Sequence, residues 1–265
     1  MSEATISASR TRVSRPVPPR TGLWTTYVTL LRWNMAQIGA MLPLIIIVQA
    51  VLAAGIIIGF GFLISDIDTG AALFLSTGTP TVLLMVVGLV MVPQGVAQAR
   101  TSGTFTYLRA LPVPRPLHLM SDLTVWLVVA LPGIPVSVFV AWLRYDLTYS
   151  FDWPLLIAAS VLTAVMATSV GYALAVLLPP LLAQLASQVL VFFVMLFSPV
   201  TFPESQLPDW LRTVHDVLPF RPAGDLLRAG LVSGDGGVNW TDLAVLVAWC
   251  LLGIVISVRA LVRRA

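Results

Sequence analysis

Few side chains in this sequence could perform acid–base, nucleophilic or metal chemistry, and their number and spacing argue against most of it. All fifteen basic residues are arginines. Without lysine, a Walker A loop lacks the ammonium that holds nucleotide phosphates, and a Schiff-base enzyme lacks its amine. Cys250 is the single cysteine, so one chain forms neither a disulfide nor a thiolate metal cage. The two histidines, His118 and His215, are too few for a His-rich metal centre. His215–Asp216 has the composition of half a catalytic pair. No serine or cysteine is placed to be activated by it, and a solvated helix face is the simpler expectation. The chain is expected to be no enzyme and to hold no metal or cofactor of its own.

Two other polar sets are notable for their surroundings. Gln184, Ser187 and Gln188 recur on one side of a helix inside an apolar run, followed by Phe192, Phe193, Met195 and Phe197. Polar side chains at such depth face protein or a pathway rather than lipid. Gln184, Ser187, Gln188 and Phe192 either line a substrate path, with the aromatic and Met side chains as an adaptable apolar wall, or belong to a helix that simply packs in the bundle or faces lipid. The second set is the stretch QARTSGTFTYLRALPVPRPLHL, residues 98–119, which is basic, aromatic and punctuated by prolines. It is either a plain loop between spans or a handle by which another protein grips this one.

The elements that must position these groups follow from composition. The chain has 265 residues, 58% hydrophobic and 10% charged, with a mean hydropathy of +0.93. Soluble domains carry about 25% charged residues, and a water-facing fold of this composition would expose large apolar patches. The chain is an integral membrane protein. About 20 apolar residues cross the hydrocarbon core as a helix, and six runs satisfy this: 41–64, 71–97, 123–143, 155–178, 181–202 and 243–262. An all-α membrane domain over residues 39–265 is expected, with the 98–119 stretch between the second and third spans.

Arginine placement orients the spans, because cytoplasmic flanks retain positive charge. With the N-terminus inside, Arg10, Arg12, Arg15, Arg20, Arg32, Arg100, Arg109, Arg115, Arg259, Arg263 and Arg264 are cytoplasmic; only Arg144, Arg212, Arg221 and Arg228 lie outside. Acids run the other way, with only Glu3 and Asp122 inside. Both termini are expected in the cytoplasm, across a plasma (inner) membrane. Residues 1–20 read as a disordered tail rather than a signal peptide. Residues 21–38 read as an amphipathic interfacial helix, with Trp24, Tyr27, Val28, Leu31, Met35 and Ile38 on its apolar face. The outer loop 203–241 carries two short amphipathic helices, lying on the surface or re-entering beside the bundle.

This arrangement resembles the permease subunit of type-2 ABC transporters, the drug, lipid and polysaccharide exporters. Residues 98–119 match that family's inner loop through Ser102-Gly103-Thr104 and Leu111-Pro112-Val113-Pro114-Arg115. The outer loop matches a second hallmark, a Leu-Pro start and the ending Asp225-Leu226-Leu227-Arg228-Ala229-Gly230. One departure stands out: Ala99, Thr101 and Thr106 occupy places where relatives often carry glutamates.

The resemblance implies a dimer with a second permease, identical or homologous, embedded in the lipid bilayer and joined to two copies of a separate ABC ATPase that holds ATP and Mg. No nucleic-acid partner is implied. The inner loop would be a coupling helix, with Arg100, Gly103, Thr104, Phe105, Tyr107, Leu108, Arg109 and Leu111 meeting the ATPase. Its cargo would be a hydrophobic drug or lipid-like compound; a polysaccharide or glycolipid is the alternative. A membrane-embedded enzyme or an ion-coupled secondary transporter needs acids or histidines inside its spans, and no predicted run holds one in its interior. Gly55 and Gly59 of the first span form a GxxxG, suited to close helix approach.

Overall fold

Asp68 and Asp152 each open a long apolar helix by accepting a backbone N–H, from Ala71 at 2.7 Å and from Leu155 at 3.2 Å. A carboxylate at this position satisfies an orphan donor and faces the positive end of the helix dipole. The computed structural model describes residues 22–63, 68–103, 113–201, 207–232 and 238–263. The expected tail 1–20, the centre of the 98–119 stretch and the ends of the 203–241 loop therefore lie outside the described residues.

Six helices are long and apolar enough to cross a membrane: Leu42–Phe62, Thr69–Thr101, Arg115–Tyr145, Trp153–Leu177, Pro180–Phe197 and Trp240–Ala260. Among the described residues there is no strand, only an isolated bridge between Ser150 and Val232. The chain is an all-helical, multi-pass membrane protein. Each of the six helices coincides with one expected run, but the second and third extend further. The third starts at Arg115 rather than near 123, because backbone hydrogen bonding continues through polar residues at which a count of apolar residues stops.

That extension brings Asp122 and His118 into the first two turns of the third-span helix, ahead of the apolar run 123–143.

The second and fourth spans form the centre. Of their apolar windows, 78% and 61% are buried, against 22–33% for the other four. Gly88 and Gly171 let the two backbones touch; a methyl group on Gly171 would overlap the Gly88 carbonyl. Gly253 seats the sixth span against Ser169 of the fourth. The second span is not a uniform helix. It contains a π-helical turn at Val87–Met91, followed at once by Pro93, whose missing N–H leaves the Leu89 carbonyl without its usual donor.

The third span breaks at Leu131–Pro132 and resumes at Gly133. Gln49 of the first span, 2% exposed, donates its side-chain amide to the Val129 carbonyl at 3.0 Å, beside that break. The first and third spans are thereby tied at mid-depth. Gly55 and Gly59 lie in a second π-helical turn, and a methyl group on either would meet nothing within 4 Å. Among the described residues no helix packs closely on the two glycine positions.

The N-terminal helix, Leu23–Gly39, docks along the start of the third span. Leu31, Met35 and Ile38 join the main core, and the Tyr27 hydroxyl bonds Thr124 Oγ1 at 2.8 Å. Most of the face expected to lie on lipid is spent on protein, while Trp24 and Trp33 stay exposed. Two short helices, Asp209–Val217 and Phe220–Leu231, cap the far end of the bundle, where Gly230 sits against the backbone of Leu156.

Candidate functional site

Four groups of residues bear on function. The first is the connection between the second and third spans. The second-span helix ends at Thr101, and Gly103 takes a left-handed φ of +80° just past it. This helix stop is disfavoured for a residue with a Cβ. Arg100 donates to the carbonyls of Ala175 at 2.7 Å and Leu178 at 2.9 Å. Its guanidinium thus caps the negative end of the fourth span. Pro114 and Pro116 frame the first turn of the third span, where a missing N–H costs nothing. Thr104, Phe105, Tyr107, Leu108, Arg109 and Leu111 lie outside the described residues.

The second group is the fifth span. Gln184, Gln188 and Phe192, four residues apart, share an exposed stripe with Leu185, Val189 and Leu196. Ser187 does not join them. It is fully buried, and its hydroxyl donates to the Ala183 carbonyl at 2.7 Å. The four residues grouped in the sequence thus separate into three on the open face and one in the core. The helical turn puts Ser187 a quarter-turn away from Gln188.

The third group was not singled out in the sequence. A half-open cleft of about 330 Å³ lies between the N-terminal helix, the end of the second span and the start of the third. Asn34 donates to Asp122 Oδ1 at 2.7 Å and to Ser121 Oγ at 3.2 Å. His118 Nε2 stands 3.6 Å from Asp122 Oδ2. The Tyr172 hydroxyl, fully buried, approaches the same carboxylate without a hydrogen bond of normal geometry. The signal was there to be read: His118 and Asp122 are four apart beside a predicted span, and Asn34 falls between the apolar positions 31 and 38.

The fourth group explains the outer hallmark. Arg228 lies 3.7 Å from the Phe74 ring centroid and donates to Asp225 Oδ1 at 2.8 Å, Thr77 Oγ1 at 3.2 Å and the Val200 carbonyl at 3.2 Å. One guanidinium joins the second short helix to the second span and to the end of the fifth. Burial raises the Asp225 carboxyl above the usual carboxylate range, against the pull of Arg228. His215 and Asp216 part company here. His215 is fully buried, stacked on Phe193, and bonded to the Leu211 carbonyl at 2.9 Å, whereas Asp216 is exposed and pairs with Arg221. The expected solvated face is corrected for His215, which packs against the fifth span.

Among the described residues no cluster of His, Cys, Asp or Glu is arranged to hold a metal ion. No curated protein matches the chain. A family model described as ABC-2 family transporter protein matches residues 68–259, from the cap of the second span to nearly the end of the sixth. The chain is therefore a membrane-spanning permease of the ABC-2 transporter family.

Proposed function

We propose that this chain is one half of an ATP-driven exporter. Two permeases enclose the path, and a separate pair of ATPases drives them. The carrying observation is the fifth span, with 22% of its apolar window buried and both Gln184 and Gln188 on its open face. Amides that face lipid forfeit their hydrogen bonds. A second permease or an aqueous path supplies partners for them, and Phe192 beside them offers apolar cargo a contact. Gly55 and Gly59, with nothing packed on them, present another close-approach surface for the second copy.

The sequence supports the orientation, with both termini cytoplasmic in the inner membrane and the N-terminal helix at its inner surface. In that orientation residues 98–119 face the ATPases. Thr104, Phe105, Tyr107, Leu108, Arg109 and Leu111 form the contact. Gly103 sets the exit from the second span, and Arg100 anchors that exit to the end of the fourth. ATPase closure then moves the second and fourth spans together. The cargo is a hydrophobic drug or lipid-like compound. A glycan-bearing cargo is the second reading, favoured by the chain of neighbouring rings Tyr149, Phe151 and Trp153 at the outer end, 5.8 and 5.1 Å apart.

In a Cys250→Ser background, Gln188→Cys in native membranes should cross-link to a dimer. Failure to cross-link at both Gln188 and Gln184, with efficient cross-linking through an exposed third-span site such as Phe139→Cys, would place the second copy elsewhere and reject this path.

A further inference from the structure

We infer that the cleft between the N-terminal helix and the third span is a binding site for a hydrophobic monovalent cation, with the Asp122 carboxylate as its counter-charge. Lone carboxylates within spanning helices are costly unless paired. Among the described residues Asp122 has no arginine partner. Its neighbours are the Asn34 amide, the long approach of His118 and the Tyr172 hydroxyl, none a fixed cation. The nearby arginines are otherwise placed. Arg100 donates to the end of the fourth span, Arg32 is exposed on the N-terminal helix, and Arg115 lies about two turns from Asp122 along the third span.

The rest of the cleft fits the same ligand. Met41, Val125 and Trp126 give it an apolar wall. The partly exposed Trp126 ring brings π-density suited to a desolvated cation. The Tyr172 hydroxyl, 0% exposed and without a hydrogen bond of normal geometry, is a second polar group held dry beside the carboxylate. A volume of about 330 Å³ accommodates a compact organic cation rather than a bare ion. An anion meets the carboxylate and no arginine among the lining residues, which also include Gln37, Gln98 and His118. That the bound cation is cargo rests on the exporter reading; that it binds does not.

The test uses the purified full-length chain in phosphatidylcholine nanodiscs without any ATPase. Radiolabelled tetraphenylphosphonium serves as probe, and tetraphenylborate, of matching shape and opposite charge, as control. Saturable phosphonium binding is expected, weakened about tenfold by Asp122→Asn through loss of the counter-charge. Gln98→Arg, at the exposed rim, is expected to weaken it similarly while leaving the fold intact. Wild-type affinity in both variants, or equal saturable binding of the borate, overturns the site. Displacement of the probe by sodium with the same Asp122 dependence assigns the carboxylate to an inorganic cation and overturns the hydrophobic-cation assignment. Flux is read separately, in sealed vesicles with the ATPases present: normal ATP-driven flux with no phosphonium binding rejects the site alone, and phosphonium binding with no flux rejects the exporter reading alone.

Discussion

Arg228 illustrates how much of the far end depends on single side chains. Its guanidinium stacks on Phe74 and reaches Thr77, Asp225 and Val200, so truncation removes a cation–π contact and several hydrogen bonds together. Arg228→Ala is expected to destabilise the detergent-solubilised protein by about 2 kcal/mol, read from its unfolding midpoint. Arg228→Lys should recover part of this, since an ammonium keeps the charge but not the planar fork. The Asp225-x-x-Arg228-x-Gly230 spacing was legible in the sequence, but its partners were not. Phe74 and Thr77 lie about 150 positions earlier in the chain, in the second span. Separation along the chain likewise hid His215 against Phe193 and Asn34 against Asp122. A residue's own segment shows which face it occupies; only the packing of other segments shows what meets it.

The spans were legible because twenty apolar residues have few other fates in a chain of this composition. Their ends were not, since the apolar runs stop at 97 and start at 123 while the helices continue to Thr101 and begin at Arg115. Nor was the ranking of the spans legible. The fourth span is the one the others pack around, and Ser160, Thr163, Thr168, Ser169 and Gly171 give it a small, partly polar surface that a hydropathy average blurs. Two glycines separate the possible roles. Gly171→Val should abolish folded protein in a size-exclusion profile, because its side chain would have to displace the second-span backbone. Gly59→Ala should leave the protomer folded, because the added methyl group meets nothing within 4 Å. Any loss it causes should appear in dimer cross-linking rather than in protomer stability.

At the scale of the whole molecule, two expectations decide between a working motor and an isolated bundle. Leu108→Arg or Leu111→Glu should insert normally yet reduce ATP-driven export to background; wild-type export with either change would remove the coupling role from residues 98–119. In the Cys250→Ser background, a cysteine at exposed Asp209 should react with an impermeant maleimide added outside intact cells, and one at Gln98 only after permeabilisation. The reverse pattern would invert the bundle. The close seat of Gly253 and Ser257 against Ser169 also has a consequence for biosynthesis. The fourth span enters the bilayer well before its principal cover, the last helix, has been translated. Until then its hydroxyl-bearing flank faces lipid or a chaperone. Chains ending before Trp240 should therefore be recognised as unfinished and degraded, with a half-life in pulse–chase shorter than that of the full chain, although five of the six spans are already in place.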